Sequence, residues 1–285
     1  MLPNHHSLIC EELGIDIPRY LSLSALLISY SVFIFTSYTF GTSDHNEQIP
    51  IIFRLADSSY LKNDWFVNQT EGFSPRFFFS QFVNLFTHYL SINLVYFILF
   101  VIFSGITIVS IYLITKTLFK NDLVSLLTAL AFLFGPRISL GGNWIIGNIL
   151  VPSTIAIALI AFSIYLFIIK RKHLSFFILG IATLFQSILG LLAMGILTIN
   201  EIINGETRNI RKIIVNCCKY LVIYGMIAVW GFLPIMFSSS DFSNPDIFYI
   251  LTYMRHPHHY CPFSFPLKDY VMFLGMLSLF LLSIY

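Results

Sequence analysis

LVYFILFVIFSGITIVSIYLI, residues Leu94–Ile114, decides the fold: it contains no charged side chain. A helix rises about 1.5 Å per residue and the hydrocarbon layer of a bilayer is about 30 Å thick, so about 20 apolar residues make one crossing. Outward from this run, the same reading gives crossings at Leu21–Phe40, Ser153–Ile169, Ile213–Phe237 and Tyr270–Tyr285. Leu123–Phe134 is short, stops at Gly135-Pro136-Arg137 and crosses only with its flanks. Leu174–Ile203 is too long for one crossing, and Gly190 and Gly195 interrupt it, which predicts a tight hairpin of two short helices. The expected fold is all-α: a polytopic membrane protein with about eight transmembrane helices.

Composition agrees. The chain of 285 residues is 57% hydrophobic and 11% charged, where a soluble domain carries roughly 25% charged residues. That shortfall excludes a water-soluble enzyme, a disordered chain and a nucleic-acid binder, and a net charge of +2 makes no field for a polyanion. The four cysteines form no framework: Cys217 and Cys218 are adjacent, Cys10 and Cys261 lie far apart, and none has C-x-x-C spacing. The first twenty residues are polar and mixed in charge, and no small-residue cleavage site follows 21–40. The first apolar run therefore reads as a retained crossing.

Lysine and arginine are retained on the cytoplasmic side of a membrane. An inside N-terminus puts Arg19, Lys116, Lys120, Lys170, Arg171, Lys172, Arg208, Arg211 and Lys212 into short cytoplasmic segments. The outer segments then hold Arg54, Lys62, Arg76, Arg137, Arg255 and Lys268. The expectation is a multi-pass protein of the inner cell membrane with a cytoplasmic N-terminus, provided that 174–203 crosses twice. The last run ends at Leu281-Leu282-Ser283-Ile284-Tyr285 without a polar flank, so 1–285 reads as one membrane domain that is C-terminally incomplete.

Almost no ionisable residue falls inside the runs. Lys219 lies near an inner end, within reach of the interface, and the shortage of intramembrane charge argues against a proton- or sodium-coupled carrier. The polar chemistry collects in three outer segments. The first extracytoplasmic loop, 41–91, opens with Asp44, His45 and Glu47. Two carboxylates and an imidazole at a membrane boundary suit a general base or a divalent cation, and the same spacing suits a helix N-terminus. Pro50 reads as the first position of an interfacial helix, IPIIFRLAD, and Ser74-Pro75 opens a second, RFFFSQFVNLF. Asp57-Ser58-Ser59 and Asn63-Asp64 read as turns, and Asn68-Gln69-Thr70 matches a glycosylation pattern.

Gly135–Pro152 holds too many glycines and prolines for a regular helix, so Arg137, Asn143 and Asn148 line either a cavity or an ordinary loop. The long loop 238–269 carries Tyr253-Met254-Arg255-His256-Pro257-His258-His259-Tyr260, with Pro257 and Pro262 holding it extended or turned. Arginine with imidazoles suits a phosphate or pyrophosphate; imidazoles with Asp44 or Glu47 suit a transition metal; a structural loop is the third reading.

The arrangement resembles the GT-C superfamily of membrane glycosyltransferases. There a first crossing leads into a long extracytoplasmic loop with an acidic motif near its start and two interfacial helices; Asp44, Glu47, IPIIFRLAD and SPRFFF take those places here. GTSDHNEQIP, YLKNDWF, SPRF and RHPHHY with FPLKDY also look like an uncharacterised family of bacterial polytopic proteins whose members are usually longer. Asp-His-Asn-Glu stands here instead of adjacent acids or D-x-D. The resemblance implies transfer of a sugar from a polyprenyl-phosphate donor, held among membrane lipid, to an extracytoplasmic acceptor. Asp44 would be the general base, Glu47 its partner or the ligand of a possible divalent metal, and His45 their neighbour in the catalytic group. Arg255, His256, His258, His259 and Tyr260, with Arg76 and Arg137, would bind the phosphate. A non-catalytic envelope-lipid permease, flippase or scaffold is the competing class.

Overall fold

The computed structural model describes residues 16–70, 73–135, 146–205, 209–237, 245–255 and 257–284. Among them every regular element is a helix. The chain divides into two compact units, one of residues 1–133 and 148–238, the other of 134–147 and 239–285.

The first unit holds α1 (Arg19–Ser37), α2 (His45–Ala56), α3 (Trp65–Thr70), α4 (Phe77–Thr87), α5 (Ile92–Phe119), α6 (Asp122–Phe134), α7 (Pro152–Ile168), α8 (Lys172–Phe185), α9 (Ser187–Asn204) and α10 (Ile210–Phe237). Of these, α1, α5, α9 and α10 are long and apolar enough to cross a membrane, while α4, α6, α7 and α8 are shorter apolar helices. Leu23, Leu27, Ile28, Val32 and Phe35 are exposed along α1, a face compatible with lipid and costly in water. This is the build of a helical multi-pass membrane protein.

Where lipid surrounds helices, burial of apolar surface drives their association weakly, and close backbones and interhelical hydrogen bonds take over. α1 lies antiparallel to α5 by such ties. Near one end Ser22 Oγ donates to the Tyr112 hydroxyl at 3.1 Å; at the middle the Tyr30 hydroxyl donates to the Val101 carbonyl and lies 2.7 Å from Ser104 Oγ. At the other end the Tyr38 ring meets Phe97 and Phe100 at 5.3 and 4.9 Å. Between α7 and α8 two fully buried serines exchange bonds: Ser163 Oγ donates to the Ser175 carbonyl at 3.0 Å and Ser175 Oγ to the Ser163 carbonyl at 2.8 Å.

The segment expected to fold back does so, but not at a glycine. The chain turns at Gln186, whose φ of −147° and ψ of 93° are extended, while Gly190 and Gly195 both lie inside α9. Lys172, the first residue of α8, meets Glu201 near the end of α9 at 2.8 Å, so the two helices run antiparallel. Gly190 serves closeness: a Cβ there would lie 2.9 Å from Thr183 Cα. The hairpin packs on α10 through Phe176, Leu179, Leu197, Tyr220, Tyr224 and Ala228. Beside the turn, Ser187 Oγ donates to the Gly231 carbonyl at 2.9 Å and Thr183 Oγ1 to the Tyr224 hydroxyl at 3.0 Å.

Two sequence expectations for the first outer loop are corrected in detail. Pro50 lies inside α2, which starts five positions earlier at His45, because the backbone carbonyl of Asp44 already accepts from Glu47 and Gln48 at 3.2 and 3.1 Å. The Ser74-Pro75 signal forms the turn before the helix, with Phe77 N donating to the Ser74 carbonyl at 2.9 Å, and α4 starts at Phe77.

The second unit contains α11 (Pro245–Tyr249), a π-helical turn (Ile250–Arg255), α12 (Pro257–Tyr260), a 3₁₀ turn (Pro262–Ser264) and α13 (Leu267–Ile284). Pro257 therefore opens one helical turn instead of an extended run. Ser264 Oγ donates to the Pro257 and Cys261 carbonyls at 2.8 and 2.7 Å, and the Tyr270 hydroxyl to the Pro262 carbonyl at 2.6 Å.

Two glycines of α10 separate helix propensity from packing. A Cβ at Gly225 meets nothing within 4 Å, whereas one at Gly231 would lie 2.6 Å from the Thr183 carbonyl oxygen. Alanine gains about 1 kcal/mol over glycine in a helix, and overpacking costs about 1–3 kcal/mol. Gly225→Ala is expected to hold or raise the thermal midpoint of the purified protein, and Gly231→Ala to lower it, as followed by tryptophan fluorescence.

Candidate functional site

The end of the first unit where α1 stops, α5 begins and the chain turns into α7 carries the acidic residues. His45 organises it. The imidazole is fully buried. Gly41 N donates to Nδ1 at 3.0 Å, so Nε2 carries the proton and donates to the Leu150 carbonyl at 2.9 Å. Its ring packs edge-on against Tyr96 of α5 at 4.7 Å. A second tie runs alongside, with Thr39 N donating to the Asn148 carbonyl at 2.8 Å and Asn148 Nδ2 to Thr39 Oγ1 at 3.2 Å. His45 thus positions the acidic residues beside it, both ring nitrogens being engaged with backbone. Burial pushes its pKa below the usual imidazole value, against smaller opposing effects of the Leu150 hydrogen bond and the Asp44 charge.

Asp44 caps α2 by its backbone alone: its side chain makes no cap hydrogen bond and is exposed. Glu47, three residues on and so on the same side of the helix, binds Arg76 at 2.6 Å with both side chains about a third exposed. The other guanidinium nitrogen, Arg76 Nη1, is buried and lacks a hydrogen-bond partner, as are Gln48 Oε1, Ser80 Oγ and the Tyr38 and Tyr96 hydroxyls. Gln48 follows His45 by three positions on the buried face of α2, and Tyr96 packs edge-on against the His45 ring. An unpaired buried polar group costs about 1–3 kcal/mol, so such a gathering marks a place that water or a polar ligand completes. Arg76 Nη1 and the Ser80, Tyr38 and Tyr96 hydroxyls can donate to an anionic oxygen, whereas Gln48 Oε1 accepts, and Arg76 stands beside the Glu47 carboxylate.

The rest of the loop frames this site. Arg54 is buried and donates to the Ser58 and Tyr60 carbonyls at 3.0 and 2.5 Å and to Asn68 Oδ1. Asn68 in turn donates to the Lys62 carbonyl at 2.9 Å, which ties its amide into the loop. Asp57 accepts from the Ser59 backbone and hydroxyl at 2.8 and 2.7 Å, and these bonds hold its carboxyl below the usual range. Asp64 accepts from Val67 N at 2.8 Å at the start of α3. These residues make turns, as their types suggest.

Arg137, Asn143 and His256 lie outside the described residues, as do the side chains of Arg255, His258 and His259. Tyr260 is exposed in the second unit. Among the described residues, no three His, Cys, Asp or Glu side chains gather as a metal-binding set. Tyr38, Gln48 and Tyr96 escaped the sequence reading because a tyrosine or glutamine beside an apolar run looks like any other helix residue. No protein-family model, curated protein or solved structure matches the chain, and the site stands on its own geometry.

The neutral His45 ring gives a pH signature. Its pKa is lower in the fold than in the unfolded chain, so its stabilisation is complete above the unfolded value of about 6.5 and is lost progressively as pH falls below it. The thermal midpoint should drop between pH 7.5 and 5.5. His45→Gln should start lower, by roughly 1 kcal/mol per lost hydrogen bond, and show a flatter pH dependence, as measured by parallel melts.

Proposed function

We propose that this chain is a membrane glycosyltransferase that moves a sugar from a polyprenyl-phosphate donor to an acceptor on the extracytoplasmic side. The observation that supports this most is Arg76: Glu47 holds one nitrogen while the other stays buried and unpartnered, next to a helix start where the Asp44 carboxylate is exposed. Breaking a sugar–phosphate bond builds negative charge on the departing phosphate and positive character on the ring carbon, and the acceptor hydroxyl must lose a proton. Asp44 takes that proton, Glu47 orients Arg76 or shares a divalent metal, and Arg76 meets the phosphate. His45 keeps Asp44 and Glu47 in register. Arg255, His256, His258, His259 and Tyr260, with Arg137, are proposed as further phosphate-binding residues on the strength of the sequence alone.

In this reading α1, α5, α6, α7, α8, α9, α10 and α13 are the crossings, and α2 and α4 lie at the outer interface. Basic residues support a cytoplasmic N-terminus. Arg19 and Lys116 flank the Ser22–Tyr112 tie, and Lys170, Lys172 and Arg211 lie at the base of the hairpin, all at the end of the first unit opposite His45. The surrounding partner is membrane lipid of the inner cell membrane, and the prenyl tail of the donor lies among the apolar helices.

Membranes containing the wild-type protein should transfer label from radiolabelled polyprenyl-phosphate sugars, and Asp44→Asn should reduce the rate by about 100-fold or more while leaving insertion intact. Full activity in Asp44→Asn removes the base assignment. No transfer by wild type favours a permease, flippase or scaffold. Single cysteines placed in 41–91 and in 253–260 should react with impermeant thiol reagents from the same side; labelling from opposite sides removes the second-unit residues from the site.

A further inference from the structure

At the end of the first unit opposite His45, the base of the α8–α9 hairpin and the start of α10 enclose a cavity of about 750 Å³. Lys170, Lys172, Arg211, Lys212 and Lys219 line it, and among the described residues the carboxylate on its wall is Glu201. Glu201 is already held by Lys172 at 2.8 Å, with both side chains mostly buried. Beside this ion pair, Arg211, Lys212 and Lys219 bring three more positive charges to the described lining. Arg211, Lys212 and Lys219 are all exposed, and spacings of one, seven and eight residues bring them to one side of α10. Like charges crowded into a concave, partly apolar site repel one another, and an anion relieves that repulsion more strongly than bulk water does.

We infer that this cavity binds a phosphate group, as a phosphomonoester or a diphosphate. Lysine ammonium groups offer point charges and Arg211 a planar fork matched to phosphate oxygens. Asn216 on the wall adds an amide that can donate to a third oxygen. Next in sequence to lining residues, or two positions from one, Ile210, Ile214 and Ile203 are 73%, 57% and 71% exposed apolar side chains. The group can therefore arrive on a lipid that leaves its chains against these isoleucines, or on a soluble molecule. Lys219 lies nine residues into α10, about 13 Å along the axis from Ile210, where an ammonium beside bound phosphate is better placed than one facing hydrocarbon. The site is independent of the proposed transfer chemistry and shares no residue with it.

The test uses the full chain in two forms. In detergent it is titrated calorimetrically with inorganic pyrophosphate at low and high salt. In nanodiscs of phosphatidylcholine, with or without phosphatidic acid, its thermal midpoint is followed by tryptophan fluorescence. Wild type should bind, more weakly at high salt, and the double variant Lys212→Gln, Lys219→Gln should lose about tenfold or more in affinity, or the whole lipid-dependent shift. Lys62→Gln, in the outer loop, should change neither. Binding by phosphatidic acid alone assigns the site to a lipid headgroup, and binding by pyrophosphate alone to a soluble phosphate. Wild type that responds to neither probe, or a double variant that responds like wild type, overturns the inference. Should the double variant fail to fold, Lys212→Gln alone, at an exposed position, is read against the same two outcomes.

Discussion

One buried imidazole joins four parts of the first unit. His45 takes a hydrogen bond from the chain leaving α1, gives one to the chain approaching α7, packs edge-on against Tyr96 of α5 and is itself the first residue of α2. Neither backbone partner has a regular helix in which to find another bond, and an unpaired backbone group away from water is costly. A neutral ring with one donor and one acceptor satisfies both at once; a protonated ring would have two donors and no acceptor for Gly41 N. The position of Asp44 and Glu47 follows from this, since they sit immediately before and two residues after the ring.

The same economy runs through the helices. Hydroxyls and glycines do the joining: Ser163 with Ser175, Tyr30 with Val101, Gly231 against Thr183. The two ends of the unit then diverge in chemistry. One presents carboxylates with buried donors that lack partners; the other presents ammonium and guanidinium groups around a hollow.

The helices were largely legible because their signal is local. Leu94–Ile114 lies within Ile92–Phe119, and the observed helix runs past Lys116 because a lysine extends toward the interface without ending a helix. What was illegible depends on partners distant in sequence. Nothing about Gln186 marks a turn, and of the two glycines that seemed to mark it, Gly190 serves close packing against Thr183 while a Cβ at Gly195 would meet nothing within 4 Å. Pro50 is tolerated inside α2, where proline usually opens a helix. The acidic pair was legible from composition, yet the role of His45 rests on a carbonyl 105 residues away, and a carbonyl has no signature in sequence. The lysines and arginines of 170–212 were read as a signal of orientation, and the gathering of Lys170, Lys172, Arg211 and Lys212 around one cavity depends on the hairpin that brings 172 to 201.

The hairpin has a further consequence for the surrounding bilayer. α8 has 14 residues and α9 has 18, lengths of about 21 and 27 Å against a hydrocarbon layer of about 30 Å. At the end of the hairpin away from Lys172 and Glu201, the loop at Gln186 lies by α4, where the Phe82 and Phe185 ring centroids are 5.6 Å apart. Such hydrophobic mismatch is relieved by local thinning of the leaflet or by a roof of protein over the turn. For a hairpin that crosses the bilayer, acyl-chain length thereby becomes a variable of the fold.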